Sequence, residues 1–466
     1  MLRKLAVFCA IASIALADDT RRVIIIDIDG VRWDTFKQAY LERHLQSFER
    51  ILGTVTNGEG FQHAVVFENA TTVFPTVTMA AQASIFTGVF PGRHGIPGNA
   101  WFDRTSARLI DYMTPISIAC VYEIDLMFSG CQGGMANEQL TSPTLYELAA
   151  RAGKTSTVVF SEYYKGATTP VLPSLDDALG FLEGYDINYP AFDARMMDRA
   201  VESLQAGELP DILTVYFAGA DGVAHQQGIA SQLDYFQNVI DPELGRLLGE
   251  LALRDPEWSV HTLFVITSDH GRTDLQYHPE DQDLAYRINV DLARIAGPSG
   301  NSELVQDGGM AYVYVTAGGD ISRTASELIS DPALESAVDS ILVRESPSSG
   351  YHLVQRGHNM QRVLKDWQAL VNNLDSGRTG DFILILKPGH YFGNKGYGSE
   401  HGSISAGDLG VPLILAQGGV VPLWPVDTVS TTQIAATIAS YLGISVEGLS
   451  PMLPGVRFSG VITRVD

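Results

Sequence analysis

Carboxylates and imidazoles recur where apolar runs end. Residues 23–28 run into Asp27-Ile28-Asp29-Gly30, and residues 213–217 are followed by Asp221-Gly222-Val223-Ala224-His225. Residues 263–266 lead into Ser268-Asp269-His270-Gly271, and Glu400-His401-Gly402-Ser403 precedes the apolar run 411–415. Asp29, Asp221, His225, Asp269, His270 and His401 make three carboxylates and three imidazoles. Such a set can hold two divalent ions with open positions, and mixed nitrogen and oxygen ligation favours zinc or a similar first-row metal. A lone D-x-x-x-H reads as a cap or surface pair and a lone His-Gly as a turn; four such places at strand ends point to one site. The nucleophile candidate is Thr78, in Phe74-Pro75-Thr76-Val77-Thr78-Met79-Ala80-Ala81. Small and apolar residues continue to Phe86 and close at Thr87-Gly88, which predicts a buried helix starting near Thr78. A hydroxyl there faces unpaired N–H groups and the positive end of the helix dipole. The plainer reading is an N-cap. A threonine hydroxyl needs a base or a metal to ionise it. With no Ser-His-Asp order or G-x-S-x-G elbow in the chain, metal activation is the consistent reading.

These side chains need a scaffold that gathers strand ends. Short, β-branched apolar runs recur at 23–28, 156–160, Ile212–Phe217, Thr262–Thr267, 312–315, Phe382–Leu386 and 412–415. Their near-continuous hydrophobicity predicts strands buried on both faces, as in a mainly parallel sheet. Helical signals alternate with them. Ser142-Pro143 followed by Leu145, Leu148 and Ala149 and stopped by Gly153 is one. The apolar face from Phe236 through Leu251, interrupted at Asp241-Pro242, is a second, and residues 431–442 a third. The fold class expected is α/β, a large mainly parallel sheet sandwiched between helices with a smaller inserted cap, and ligands bind beyond the carboxyl ends of such strands. The expected division is a leader over 1–17, a core over 18–276 and 401–466, and an insertion or cap over 277–400 contributing to the core edge. Gly389, Gly393, Gly396 and Gly398 mark the irregular end of that insertion.

In its ordered motifs the chain resembles the alkaline phosphatase superfamily, in particular its type I phosphodiesterase/nucleotide pyrophosphatase branch. The resemblance runs from Ile26-Asp27-Ile28-Asp29-Gly30 through Pro75-Thr76-Val77-Thr78 and Pro91-Gly92-Arg93-His94-Gly95-Ile96 to Asp221…His225, Ser268-Asp269-His270-Gly271 and His401-Gly402-Ser403. Gly410-Val411-Pro412-Leu413-Ile414 and the helix after it extend the match. The resemblance implies an alkaline phosphatase-like fold and two divalent ions, zinc being the expected metal. It places Asp29, Thr78, Asp269 and His270 on the first ion and Asp221, His225 and His401 on the second. It gives Asn99 the role of an amide bonded to a phosphoryl oxygen, and it makes His94 part of a structural turn.

The implied chemistry is hydrolysis of a phosphate ester through a phosphothreonine on Thr78. The branch typically carries Phe-Pro-Asn-His after the nucleophile, whereas this chain has Met79-Ala80-Ala81-Gln82, which weakens the case for a nucleobase partner. Tyr163 and Tyr164 are candidates for an aromatic wall. Lys165 is the candidate for the lysine that contacts the doubly charged phosphate in monoesterases of the superfamily. A phosphomonoesterase is therefore the alternative to a diesterase. A haloacid dehalogenase-type phosphatase would use Asp27 with Mg²⁺ but leaves the later carboxylates and histidines unexplained. An arylsulfatase would need Cys or Ser in place of Thr78. A non-catalytic exported metal-binding protein is the non-enzyme alternative.

The chain of 466 residues opens on Arg3-Lys4, an apolar core to Leu16 and Ala15-Leu16-Ala17. That is the pattern of a secretory leader cleaved after Ala17, with too short an apolar core to span a bilayer, so a secreted or periplasmic protein without a membrane anchor is expected. Cys9 falls in the leader, which leaves Cys120 and Cys131 as an even pair able to form a structural disulfide. Asn69-Ala70-Thr71 is a glycosylation sequon. The net charge of −23, with no Lys/Arg-rich run, excludes a surface that grips nucleic acid through its phosphates. The expected partner is a small-molecule phosphate ester held by something local and cationic, such as a metal pair.

Overall fold

The computed structural model describes residues 21–56, 60–113, 134–173, 188–275, 302–330, 334, 337–346, 349–355, 367–392, 398–418, 428–458 and 462–464. Residues 1–17, expected to be a leader, and the Cys120/Cys131 pair lie outside the described residues. In chain order the strands that matter for the site are β1 (Arg22–Ile28), β2 (Ala64–Val66), β3 (Ser156–Val159), β4 (Thr169–Val171), β5 (Ile212–Phe217) and β6 (Thr262–Thr267). They continue as β7 (Ser302–Asp307), β8 (Met310–Val315), β9 (Val338–Val343), β10 (His352–Gln355), β11 (Phe382–Leu386) and β12 (Leu413–Ala416). The helices used below are α1 (Thr78–Thr87), α2 (Tyr189–Ala206), α3 (Gly219–Gln227), α4 (Asp241–Arg254) and α5 (Gln433–Tyr441).

Seven strands form the main sheet in the order β2-β12-β6-β1-β5-β3-β4. β1 lies parallel between β5 and β6, and β3 pairs parallel with β5. β12 runs antiparallel to both β6 and β2. The sheet is therefore mixed but mainly parallel. Alternate residues of β1 feed two cores: Val23 and Ile25 pack with α1 and α5, whereas Ile24, Ile26 and Ile28 pack with α2 and α4. Complete burial of such a side chain contributes roughly 1.5–3 kcal/mol, so helices on both faces explain why the strands read as unbroken apolar runs.

Two of the predicted strands lie elsewhere. The runs 312–315 and Phe382–Leu386 belong to a second, antiparallel sheet of order β7-β8-β11-β9-β10. Its strands are also covered on both sides. Tyr312, Tyr314, Ile383 and Ile385 join the main core, while Ala311, Val313, Phe382 and Leu384 form a separate one. Burial on both faces gave them the same sequence signature as parallel strands. The break expected at Asp241-Pro242 is absorbed differently as well. Phe236–Ile240 makes one wide π-helical turn, in which the Asp241 N–H donates to the Phe236 carbonyl, and Pro242 falls in the first turn of α4. The helical residues on either side abut without a break, so Pro242 gives up one backbone bond inside a continuous run, and the wide turn before it makes room for the ring.

Candidate metal centre and nucleophile

Each candidate ligand sits at the carboxyl edge of the main sheet. Asp29 follows β1, Asp269 and His270 follow β6, and Asp221 and His225 share one face of α3 at i and i+4, directly after β5. His401 precedes its strand and still reaches this edge because β12 runs antiparallel. Its loop is stitched to α3: the Gly398 N–H donates to the His225 carbonyl at 2.6 Å and Ser399 Oγ to the Ala224 carbonyl at 2.6 Å. Gly30 makes the turn after β1 with φ +66°, and a Cβ there would lie 2.4 Å from Asp221 Oδ1, so glycine is required both for the backbone and for the approach.

The six side chains converge. Donor atoms of Asp221, His225 and His401 lie within 4.8 Å of one another, as do those of Asp29, Asp221 and His270. Asp221 is common to both groups. His225 Nε2 is 3.0 Å from Asp221 Oδ2, and His401 Nε2 is 3.8 Å from Oδ1. His270 Nε2 lies 3.4 Å from Asp29 Oδ1 and 3.5 Å from Asp269 Oδ2. The His270 and His401 rings stack at 3.7 Å between centroids. Thr78 is the first residue of α1, its cap position being Val77, so its hydroxyl is not used as a cap; Oγ1 stands 3.3 Å from His270 Nε2.

The donor chemistry fits divalent ions. Nδ1 of His225, His270 and His401 each meets a backbone carbonyl, that of Ser399 at 3.1 Å, Gly271 at 3.0 Å and Thr76 at 2.9 Å. Donation from Nδ1 fixes the tautomer that turns the Nε2 lone pair toward the cluster. Asp29 Oδ1 and Asp269 Oδ2 are buried without a hydrogen-bond partner. Burial, then the nearby Asp269 and Asp221 carboxylates, push Asp29 well above the usual carboxylate range, although Tyr216 donates its hydroxyl to it. Burial acts the same way on Asp221, yet the Arg272 guanidinium and His225 outweigh it and hold that carboxyl well below the usual range. Burial and the adjacent His270 ring hold His401 well below the ordinary imidazole value, in the neutral ligating form. Crowded carboxylates, two of them with unpartnered buried oxygens, are what a bound cation would relieve.

The other predicted residues are placed as follows. Asn99 accepts the Met79 N–H on Oδ1 at 3.0 Å, one residue past the candidate nucleophile. Tyr164 and Lys165 lie in a loop after β3, where both backbone N–H groups donate to Asn137 Oδ1 at 3.0 Å. Among the described residues no hydrogen bond or ion pair ties the Lys165 side chain to the ligand cluster. Tyr163 is fully buried in the main core. His94 bonds Ser84 Oγ at 2.9 Å, and burial lowers it to about 3, a neutral structural histidine. Asp27 is fully buried with both carboxylate oxygens unpartnered, which leaves it no face for a substrate and removes the dehalogenase-type reading.

Sequence reasoning missed three residues. Arg272 is buried, its Nη1 2.8 Å from Asp221 Oδ1. Glu162 is buried beyond β3, and burial followed by Asp269 raises it to about 8; a carboxylate directly after a strand was the available signal. Asp307, at the end of β7, accepts the Asn99 N–H at 2.8 Å, and nothing in the local sequence announces that contact.

Fold and site together define an α/β protein with a cluster of candidate metal-binding side chains and a helix-borne threonine beside it. The chain belongs to the type I phosphodiesterase/nucleotide pyrophosphatase family, whose model matches residues 23–405. It is 25% identical over 305 residues to a calcium-transporting ATPase of Myroides odoratus, a match covering 61% of this chain and 54% of that protein, so the chain spans about half the length of that relative. Among solved structures, alkaline phosphatase PafA superposes with a TM-score of 0.66 at 17% identity, covering 93% of this chain and 98% of that one. Murine ectonucleotide pyrophosphatase/phosphodiesterase 5 gives 0.60 at 16% identity, with coverage of 93% and 97%. These likenesses share the fold, an α/β architecture around a large mixed sheet.

Proposed function

We propose that this protein is an exported hydrolase of phosphate esters, phosphodiesterase-like, that works through a phosphothreonine on Thr78 with two divalent ions, zinc being the expected pair. The carrying observation is the Thr78 hydroxyl 3.3 Å from His270 Nε2, beside two ligand groups that share Asp221. Asp29, Asp269 and His270 with Thr78 would hold one ion; Asp221, His225 and His401 would hold the other. When bound, the pair supplies the positive charge that ionises a hydroxyl and stabilises a leaving oxygen.

The protein's own groups do the rest. Thr78 Oγ1 attacks phosphorus from the N-terminus of α1 as the P–O bond to the leaving alcohol breaks. The threonine proton ends on the departing oxygen by way of solvent, and the positive end of the helix dipole favours the developing negative charge. Asn99 gives its Oδ1 to the Met79 N–H, which leaves Nδ2 free to donate to a phosphoryl oxygen. Tyr164 and Lys165 lie on a loop pinned by Asn137; Tyr164 would offer an aromatic wall to the substrate, and Lys165 would contact the doubly charged phosphate in the monoesterase alternative. Attack of water on the phosphothreonine then releases phosphate or its monoester and restores Thr78.

The test compares a bis-aryl with a mono-aryl phosphate on the same zinc-loaded protein, with and without a chelator. Chelator-sensitive hydrolysis with preference for the diester is expected. A strong monoester preference promotes the phosphomonoesterase alternative and Lys165 with it. Absence of turnover on either ester with metal bound leaves the exported binding protein.

A further inference from the structure

We propose that Asp307, at the tip of the β7–β8 hairpin, is a positioning residue for Asn99, so that the second sheet builds part of the reaction centre. The inference rests on the reading of Asn99 as the phosphoryl donor. The hairpin closes with a two-residue turn, Gly308-Gly309, between the paired Asp307 and Met310. The turn is driven against the His401 loop. The Gly309 N–H donates to the His401 carbonyl at 2.6 Å. Gly308 has φ +60°, and a Cβ on it would come within 2.2 Å of the same oxygen. No side chain fits there, so the tip can approach only as glycine.

From this fixed tip Asp307 reaches across 208 residues of sequence to accept the Asn99 N–H on Oδ2 at 2.8 Å. The preceding Gly98 leaves room for it, since a Cβ at that position would stand 2.4 Å from Oδ2. One turn of chain earlier, the Tyr312 hydroxyl of β8 donates to the Pro97 carbonyl at 2.8 Å. The segment 97–99 is therefore clamped by the second sheet at two points, one on each side of Gly98. The Met79 N–H fixes the side chain of Asn99, and Asp307 fixes its main chain. Asp307 is buried, and in either protonation state a carboxyl oxygen accepts this N–H, so an asparagine can replace it and an alanine cannot. A carboxylate serving only the hairpin would bond its own turn; this one is spent on Asn99.

The test uses the zinc-loaded full chain with bis-aryl phosphate, reading kcat, KM, metal content and inhibition by inorganic phosphate. Asn99→Ala should lower kcat about a hundredfold. Asp307→Ala should lower it at least about tenfold with weaker phosphate inhibition, while Asp307→Asn stays within about threefold and both keep their metal. In the Asn99→Ala background, Asp307→Ala should cost less than about twofold, because its effect runs through Asn99. Should Asp307→Ala fail to fold, Tyr312→Phe removes the second clamp and should show the same dependence on Asn99. Equal losses in both backgrounds, or no loss in the wild-type background, would overturn the proposal. A wild-type protein that hydrolyses no phosphate ester overturns the functional reading instead, a result the metal-loaded control distinguishes from either.

Discussion

Arg272 and Asp221 form a buried ion pair within the ligand cluster: Nη1 lies 2.8 Å from Oδ1 and also donates to the Asp221 carbonyl at 2.7 Å. The guanidinium thereby fixes the one carboxylate common to both ligand groups. Removing one partner of a buried pair leaves the other charge uncompensated, at a cost of about 3–5 kcal/mol. Arg272→Met should destabilise the metal-free protein by about that amount, and less once zinc neutralises Asp221. Urea unfolding with and without chelator measures both. Equal destabilisation in the two states would mean that Asp221 is not a ligand.

Thr78→Ala should reduce turnover by at least about a thousandfold while leaving metal content near wild type, because the six carboxylate and imidazole ligands remain. Thr78→Ser keeps a hydroxyl at the start of α1 and should retain measurable turnover. Intact-mass measurement after acid quench should show a phosphoryl adduct on wild type and none on the alanine variant. Robust turnover by Thr78→Ala at full metal loading would remove Thr78 from the reaction.

The site was legible wherever its residues are tied to local rules. Asp221 and His225 share a helix face by spacing alone, and Asp29, Asp269 and His270 follow strands whose apolar runs mark their own ends. His401 was harder, because its position at the shared edge depends on β12 running antiparallel, which no local pattern in 411–415 dictates. The antiparallel pairing of the runs 312–315 and 382–386 is hidden for a related reason: Phe382–Leu386 is buried on both faces and carries no mark of its partner. Arg272 and Asp307 act through contacts across 51 and 208 residues, and one-dimensional periodicity holds no information about such pairs.

Gln82 stands on α1 one turn beyond Thr78, fully buried, and its Oε1 accepts the Glu162 N–H at 3.1 Å. Ser161 Oγ adds a bond to the same oxygen at 3.3 Å. The nucleophile helix thus holds the loop that carries Tyr164 and Lys165. Gln82→Leu strands a buried N–H, which costs about 1–3 kcal/mol, and the lower end is expected because Gln82 Nε2 is itself unpartnered. The freed loop should also raise KM more than it lowers kcat. A KM unchanged within error would separate this loop from the substrate.

Asp193 of α2 makes the stability depend on pH. Its Oδ2 accepts the Tyr235 hydroxyl at 2.8 Å and the Gly219 N–H at 3.3 Å, at the start of the helix bearing Asp221 and His225. Burial pushes its carboxyl up to about 7, against the lowering effect of those two bonds. An unfolded aspartate titrates near about 3.9, so between these values the folded state binds the extra proton. Its contribution is complete below the unfolded value, is lost as pH rises through 7 and stays lost above it. Asp193→Asn cannot titrate and can accept the same two bonds. The variant should therefore gain stability relative to wild type as pH rises from 5 to 8, read as a growing difference in urea midpoint on zinc-loaded protein. Metal content at pH 8 should match wild type, since the start of α3 keeps its acceptor. A midpoint difference that stays flat across this range would show that Asp193 carries no excess proton in the folded protein.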